Sequence, residues 1–447
     1  MSDFYDTGGG IFGGPGFLNR GKGLQFFQPQ NNYGKYAFYV DFADGKGTDR
    51  VSHTPMETVL SAGRVKPDGT VLGVNEPCIQ DGKLNTLGQI ELLNGMTDDV
   101  SNAYYTKVFS SAILNTATAP DGSLAADRYK EDLTNDRHDF YLPLLSNFPI
   151  APITVSVYAK AMGRRWIKIR HDGAGMFKGA YFDLVDGVVG IVDSGYTAEI
   201  KSCGNDWHRC SVTTTSTATS WYPGIMLISD ALSIQYQGDG VSGVALWCFN
   251  ITKSSYLLPP VHNDTTGPLT IPHGYSDADE GYKWPLASCP KAVTALQGTA
   301  GNNAQGTLEV EWTPQVNATS TLADTTTSIF TGSSTPFICC FARTTAANVH
   351  RICASDDATS VHLLTADFSW LAGVTYKLAV RYGPHPGYDN AGKYQLTVTD
   401  GTTTWGSAIT NFDGSFNPLT HFSIGWLSTY WQQLSKISVK EGNPWIA

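Results

Sequence analysis

Strand-like segments with a period of two, separated by turn residues, fill most of this chain and restrict its fold more than any other feature. Examples are TVSVYAKAM (154–162), WIKIR (166–170), GVALWCFNI (243–251) and GTLEVEWTP (306–314). A period of two places alternate side chains on opposite faces of a strand, whereas an amphipathic helix needs a period near 3.6. Helical periodicity is nearly absent, and NAYYTKVFSSAIL (102–114) is the one ambiguous segment. The pattern predicts an all-β protein.

Glycine and proline residues are frequent between these strands. The chain has 46 glycines and 22 prolines in 447 residues, and YFDLVDGVVGIV (181–192) breaks at Asp186-Gly187, a hairpin signal. Short, regularly spaced strands with such turns favour jelly-roll or β-sandwich domains over an αβ arrangement. The length predicts two or three domains.

Composition shifts divide the chain into four regions. We predict an N-terminal arm at 1–35, a first sandwich with an N-terminal extension at 36–258, a proline-rich linker at 259–290 and a second sandwich at 291–447. Six prolines between residues 256 and 290 favour an extended, semi-rigid linker.

The arm is rich in glycine and carries irregularly spaced phenylalanines, namely Phe12, Phe17, Phe26 and Phe27. Glycine loses the most backbone entropy on folding, so such a segment is not expected to fold by itself. Either it packs against its own chain, or it inserts into a partner subunit with the phenylalanines as anchors.

Charge and hydropathy exclude several classes of protein. There are 30 basic and 40 acidic residues, giving a net charge of −10, and no basic cluster stands out, which argues against nucleic-acid binding. No apolar run is long enough to span a membrane. The N-terminus MSDFYDTGGG lacks the pattern of a secretory signal, so most of the eight cysteines are expected to be reduced.

The segment GNDWHRCSVT (204–213) places Asp206, His208 and Cys210 at two-residue spacing and raises the question of a metal or nucleophile site. No second ligand pair with metal spacing, such as HExxH or CxxC, occurs in the chain. The segment is therefore interpreted as a turn followed by a strand, and a Cys203–Cys210 bridge is open only if the two face each other. We predict no metal and no cofactor.

Glycoside hydrolysis needs two carboxylates, and Glu309 and Glu311 are same-face neighbours in LEVEW. A polar outer face of a strand explains this pair equally well. We predict no catalytic residue and no enzyme activity.

Aromatic side chains at strand ends and turns are candidates for stacking on sugar rings, although tryptophans in sandwiches mostly fill cores. The candidates are Trp166, Trp221, Tyr222, Tyr388, Trp405, Trp426 and Trp431.

The order of several segments resembles a known family. The series runs from GRVKPDGTVLGVNEPCI (63–79) and TATAPDGSLAADRYKED (116–132) through PITVSVYAKAM (152–162) and YFDLVDGVVG (181–190), and ends with GNDWHRCSVT and GDGVSGVALWCFNI (238–251). It resembles the carbohydrate-binding-module-like jelly rolls of tailed-bacteriophage virion proteins, over roughly residues 37–258. Residues 291–447 are similar, more faintly, to laminin-G/concanavalin-like sandwiches.

The resemblance implies a structural virion protein, such as a capsid decoration, head fibre, tail fibre or collar fibre. It further implies attachment to other virion proteins through the arm, a homo-oligomer, and sandwiches that bind host or environmental glycans. The alternatives are a virion-borne glycan depolymerase, which requires a carboxylate pair in a cleft, and a pure cement protein without a ligand.

Overall fold

A computed structural model describes most of the chain. The described residues are 16–18, 25–27, 33–59, 66, 72–87, 89–142, 145–146, 149–172, 177–217, 220–272, 281–299, 303–318, 326–331, 339–344, 350–355, 364–412, 416, 420–424 and 431–446. They form antiparallel sheets with a single short α-helix in the described part, so the predicted all-β class with sandwich domains is confirmed.

Seven short strands precede residue 93. They are β1 (Gly16–Leu18), β2 (Gln25–Phe27), β3 (Tyr36–Asp41), β4 (Glu57–Val59), β5 (Ile79–Gln80), β6 (Lys83–Thr86) and β7 (Gln89–Leu92).

Sixteen strands follow up to residue 272. They are β8 (Thr106–Val108), β9 (Ser110–Ala117), β10 (Ala126–Glu131), β11 (Asn135–Asp136), β12 (His138–Tyr141), β13 (Leu145–Ser146), β14 (Pro152–Met162), β15 (Trp166–Asp172), β16 (Gly179–Asp183), β17 (Val188–Val192), β18 (Thr197–Gly204), β19 (Trp207–Thr215), β20 (Ser220–Ile228), β21 (Tyr236–Gln237), β22 (Gly243–Thr252) and β23 (Leu269–Pro272). The ambiguous segment 102–114 therefore contains β8 and most of β9.

The last part of the chain contains helix α1 (Pro290–Gln297) and twelve strands. The strands are β24 (Gly281–Pro285), β25 (Gly306–Pro314), β26 (Thr326–Thr331), β27 (Cys339–Thr344), β28 (His350–Ser355), β29 (Leu364–Asp367), β30 (Tyr376–Pro384), β31 (Gly392–Thr399), β32 (Thr404–Gly406), β33 (Thr410–Asn411), β34 (His421–Ile424) and β35 (Gln432–Glu441).

One sandwich is formed by residues 89–272, and we call it the inserted sandwich. An eight-stranded sheet runs β18-β19-β14-β22-β10-β9, with β7 on β22 and β23 on β7. A seven-stranded sheet runs β17-β16-β15-β20-β12-β8, with β13 on β20. Between them lies an apolar core of side chains such as Val155, Ile167, Cys210, Ile225 and Phe249.

The second sandwich, which we call the enclosing sandwich, combines residues 33–87 with residues 281–446. One sheet runs β29-β28-β27-β26-β34-β24-β4, and the other runs β32-β31-β30-β25-β35-β6-β5, with β3 on β35 and β33 on β31. Residues far apart in sequence share its core, including Phe38, Leu84, Trp284, Trp312 and Ile437. Helix α1 begins with a proline at its first turn and buries Ala292, Ala295 and Leu296 against this core.

Strand pairing thus divides the chain differently from the sequence-based boundaries. Residues 36–87 belong to the enclosing sandwich, because β3 and β6 pair with the C-terminal strand β35. The predicted linker 259–290 contains β23, β24 and the start of α1, so its described residues are structured. A period of two identifies a strand but not the strand with which it pairs, and this explains the difference.

The two chain segments that connect the sandwiches pair with each other. In β7 and β23, Gln89 lies opposite Pro272 and Leu92 opposite Leu269. The inserted sandwich is therefore joined to the enclosing one through a two-stranded antiparallel connection.

The segment 204–213 consists of the last residue of β18, a two-residue turn and most of β19, which agrees with its interpretation as a turn followed by a strand. Asn205 and Asp206 have φ values of 51° and 62° in the turn between β18 and β19, the backbone that two-residue hairpins require. Cys203 is exposed and Cys210 is buried, and both are free thiols. The sequence left a Cys203–Cys210 disulfide undecided. The structure has none, since Cys210 lies opposite Ile200 in the β18–β19 pair.

Candidate binding cleft

A cleft of about 880 Å³ lies between the two sandwiches. One wall is the outer face of β18 and β19, and the other consists of residues 315–317 after β25 and residues 372–373 before β30. Tyr256 and Trp431 line the cleft where the walls meet. Its volume is in the range of roughly 300–1,000 Å³ that is usual for small-ligand sites.

Alternation along β19 produces the polar wall. Cys210 and Val212 are fully buried in the core of the inserted sandwich, so Arg209, Ser211 and Thr213 project to the opposite side and line the cleft. The wall thus offers hydroxyl groups and one guanidinium on a rigid paired strand.

The neighbouring edge strand β18 adds two exposed charges. Glu199 and Lys201 are both exposed and both line the cleft. They lie two residues apart, so they share a face of the strand. Together with Arg209, the wall therefore carries two positive charges and one negative charge.

Arg209 is held in place by two contacts. Its guanidinium carbon lies 5.3 Å from the centre of the Tyr158 ring, within the range of cation–π attraction. Its Nη2 donates a 2.6 Å hydrogen bond to the carbonyl oxygen of Leu258. Tyr158 in turn packs against Trp247, with ring centres 5.1 Å apart. This row of side chains fixes the guanidinium at the base of the wall.

Trp431 is fixed at the junction of the sandwiches. It packs against a small apolar cluster formed by Leu87, Ile90, Leu92, Leu258 and Val261. Its indole Nε1 donates a 3.2 Å hydrogen bond to Oδ1 of Asn85. Of the sequence-predicted aromatics that the structure describes, Trp431 alone lines the cleft.

Three other predicted aromatics pack within the sandwiches. Trp221 is only 4% exposed and lies against His171, with ring centres 4.1 Å apart. Trp405 stacks on Phe368 at 4.5 Å and covers the core of the enclosing sandwich. Their ring faces are largely occupied by protein. Half-buried Trp166 lies beside Arg165, whose guanidinium carbon is 5.9 Å from its ring.

The remaining predicted aromatics are dispersed. Tyr222 is half-buried and meets Tyr141 edge-on at 5.8 Å. Tyr388 is 46% exposed, with the ammonium group of Lys393 4.6 Å from its ring centre. Trp426 lies outside the described residues. The structure does not bring the seven candidates together into one binding surface.

The predicted anchors of the arm fall partly within the described residues. Strands β1 and β2 form a two-stranded antiparallel sheet in which Phe17 pairs with Phe26 and Gly16 with Phe27. Phe12 lies outside the part of the chain that the structure describes.

Two of the cleft residues that sequence reasoning missed are Tyr158 and Arg209. Both lie on the outer faces of strands that the sequence predicted. The alternation of polar and apolar residues along a strand does not show which part of the protein lies against its outer face. Ser211 and Thr213, which follow Arg209 at two-residue spacing, were the available signal for a polar strand face.

The carboxylate pair Glu309 and Glu311 is not in the cleft. Glu309 contacts Lys440 at 2.6 Å and Lys377 at 3.1 Å. Glu311 accepts a 3.0 Å hydrogen bond from Ser435. The two acids thus form ion pairs and hydrogen bonds on the outer face of the nine-stranded sheet, as expected for a polar strand face. Among the described residues that line the cleft, Glu199 is the single carboxylate.

Comparison with known proteins yields no family. No protein-family profile and no curated protein matches the chain. A tail fibre protein of an E. coli phage matches 80% of this chain with 11% identity and a TM-score of 0.21, and this chain spans 41% of that protein. A xylan β-1,4-xylosidase from Bacillus halodurans matches 87% of this chain and 99% of its own length, with 8% identity and a TM-score of 0.20. At TM-scores this low, the likenesses support no conclusion about function.

No helix among the described residues has the length and apolar character needed to cross a membrane.

Proposed function

We propose that this chain is a non-catalytic structural protein of a tailed-phage particle and that it binds a surface glycan in the cleft between its two sandwiches. The observation that carries the glycan-binding part is the position of Trp431, which lines a cleft whose opposite wall is rich in hydroxyl groups. The virion role rests on the ordered sequence segments that resemble phage jelly rolls.

The chemistry of the cleft suits a saccharide. Sugar rings combine apolar faces with a rim of hydroxyl groups, so they are bound by aromatic rings together with hydrogen-bonding side chains. Trp431 supplies an aromatic ring, while Thr213 and the largely buried Ser211 supply hydroxyl groups. With two cations, Lys201 and Arg209, against one anion, Glu199, the wall suits a neutral, zwitterionic or weakly anionic saccharide.

The number of carboxylates supports binding rather than hydrolysis. Retaining and inverting glycosidases ordinarily use two carboxyl groups on either side of the scissile bond. The described lining of the cleft offers Glu199 only. A glycan depolymerase would need a second acidic side chain opposite Glu199. A cement protein without a ligand would have its cleft covered by a neighbouring subunit.

Attachment to the particle is assigned to the arm, residues 1–35, and several copies per particle would raise the avidity of a weak site. Hydrogen exchange of the arm in the isolated chain and in the assembled particle tests this part. Protection of the arm only in the particle is expected, whereas equal protection in the isolated chain contradicts anchoring.

Glycan binding is tested by saturation-transfer NMR with oligosaccharides of glucose, galactose and N-acetylglucosamine, and with polysaccharide released from bacterial surfaces. We expect contact with at least one of these probes in the wild-type chain and its loss in Trp431→Ala and in Thr213→Val.

Tyr388→Ala is the matched control, because Tyr388 is an exposed aromatic outside the described lining of the cleft. Its binding should equal that of the wild type. Binding that survives Trp431→Ala but is lost in Tyr388→Ala would place the sugar elsewhere and refute the cleft.

A further inference from the structure

Three side chains with metal-binding atoms meet outside the lining of the cleft. Asp98 lies between β7 and β8, Cys248 lies in β22, and His262 follows that strand. One ligand atom from each residue lies within 4.8 Å of the other two. Nδ1 of His262 donates a 2.6 Å hydrogen bond to Oδ2 of Asp98.

The backbone is distorted at the cysteine in a way that directs its side chain to this group. Pairing between β14 and β22 shifts register between Ser156 and Tyr158, and Cys248 has a left-handed φ of 52° at the shift. Leu246 and Phe249 point into the core of the inserted sandwich, whereas Cys248 packs in the outer cluster beside Trp247. Bulges of this kind redirect side chains and recur beside functional sites.

The carboxylate of Asp98 is incompletely satisfied. Its Oδ2 accepts the bond from His262, but its Oδ1 is buried without a hydrogen-bond donor. A buried carboxylate oxygen without a donor is unfavourable, and a cation would supply the missing partner.

A nucleophilic role for the thiol does not fit the surroundings. Burial raises the pKa of Cys248, whereas reactive cysteines are partly exposed and have a lowered pKa. Burial alone would lower the pKa of His262, but the hydrogen bond to Asp98 and its negative charge raise that pKa above its usual value.

We propose that Asp98, Cys248 and His262 form a zinc site. Sulfur, imidazole nitrogen and carboxylate oxygen are the ligand types that Zn²⁺ takes, whereas Ca²⁺ and Mg²⁺ prefer oxygen alone. Three protein ligands leave one tetrahedral position for water. The thiol loses its proton to solvent as the zinc–sulfur bond forms, and His262 binds the metal through a ring nitrogen that carries no proton.

Zinc binding requires a small rearrangement, in which the sulfur and the other two ligand atoms, now within 4.8 Å of one another, approach, while the 2.6 Å hydrogen bond between Nδ1 of His262 and Oδ2 of Asp98 opens. Ligand atoms around a tetrahedral zinc lie about 3.3–3.8 Å apart, given metal–ligand distances of about 2.0–2.3 Å. Asp98 and His262 are both half-exposed, with 35% and 28% of their side-chain surfaces accessible, so their side chains have room to rotate toward the buried sulfur. The bound metal would tie the loop before β8 and the segment after β22 to the outer face of the eight-stranded sheet.

The test is titration of the reduced, full-length, metal-free chain with Co²⁺ and then with Zn²⁺. We expect one Co²⁺ per chain to produce a thiolate-to-cobalt charge-transfer band that Zn²⁺ removes. Cys248→Ser should abolish the band, and Asp98→Asn and His262→Gln should each weaken Co²⁺ binding at least about tenfold. Cys203→Ser, which removes an exposed thiol, should leave the band unchanged.

Circular dichroism checks that each variant is folded. If Cys248→Ser does not fold, the half-exposed Asp98→Asn and His262→Gln variants decide the matter. Absence of the band in the wild type, its persistence in Cys248→Ser, its loss in Cys203→Ser, or unchanged affinity in both other variants overturns the proposal.

Discussion

The indole Nε1 of Trp431 lies 3.2 Å from Oδ1 of Asn85, although 346 positions separate the two residues in the sequence. Asn85 belongs to β6, ahead of the inserted sandwich, and Trp431 directly precedes β35. The same oxygen accepts a 2.9 Å hydrogen bond from Gln433. One buried amide therefore joins the first and last parts of the enclosing sandwich beside the cleft.

Replacing this amide should destabilise the enclosing sandwich. Asn85→Ala removes the acceptor that Trp431 and Gln433 share and the hydrogen bonds that the buried Asn85 amide donates to the carbonyl oxygens of Cys78 and Lys83, and we expect a loss of about 1–3 kcal/mol. Urea unfolding measures the loss. Asn135→Ala changes an exposed side chain in the inserted sandwich and should stay within about 0.5 kcal/mol of the wild type. Equal effects of the two substitutions would contradict the assigned role of Asn85.

Fragments of the chain should fold according to strand pairing rather than sequence order. Residues 89–272 contain all strands of the inserted sandwich and should unfold cooperatively as an isolated fragment. Residues 291–447 lack β3, β4, β6 and β24 and should not form a stable fold, since the core loses Phe38, Leu84 and Trp284. NMR dispersion and urea unfolding distinguish the outcomes, and a cooperatively folded 291–447 fragment would refute this division.

The buried ion pair between Glu131 and Arg164 should contribute far more than an exposed one. Glu131 is 1% exposed, contacts Arg164 at 2.6 Å and accepts a 2.6 Å hydrogen bond from Tyr236. Glu131→Ala leaves a buried guanidinium unpaired, so we expect a loss of about 3–5 kcal/mol.

Glu91→Ala is the control for this prediction. It breaks a 2.9 Å pair with Lys253 whose two side chains are 44% and 41% exposed. A loss below about 1 kcal/mol is expected, because solvent screens exposed pairs. Thermal unfolding of the two variants in the same buffer makes the comparison, and similar losses would contradict it.

Acidification should destabilise the protein through His171. Burial lowers the pKa of His171 to about 3 from its ordinary value of 6.5. Between these values the unfolded chain takes up a proton that the folded chain does not, so the free energy of unfolding falls as the pH falls. The contribution is at most about 1.4 kcal/mol per pH unit.

His171→Phe removes this titration while keeping an aromatic ring beside Trp221. The slope of unfolding free energy against pH should therefore be shallower in the variant below the ordinary histidine pKa. Urea unfolding at a series of pH values measures both slopes, and identical slopes would show that His171 is accessible to protons in the folded state.

The positions of strands and the polar and apolar faces of each strand could be predicted from the sequence. Which strands pair with each other across long stretches of sequence could not. The alternation in LEVEW correctly indicated that Glu309 and Glu311 lie on a polar strand face while Leu308 and Val310 are buried. It contained no information that β35 pairs with β25, β3 and β6. The domain boundaries were misplaced for that reason.

The candidate sites show the same limit. Trp431 was singled out as an aromatic near a strand end, but nothing in its neighbourhood distinguished it from Trp221, which is buried. Asp98 and His262 are separated by 164 positions, so no local metal-binding spacing could reveal their contact. Such sites depend on how the loops and strand faces of a sandwich meet.

The insertion of one sandwich within the other has a mechanical consequence. In the pair β3–β35, Tyr36 lies opposite Lys440 and Asp41 opposite Lys436, so tension between residues 33 and 446 peels these strands apart from one end. The inserted sandwich, entered and left through the paired strands β7 and β23, lies outside that force path. Under such tension the enclosing sandwich should unfold first. The inserted sandwich bears the load only after β3 and β35 have separated.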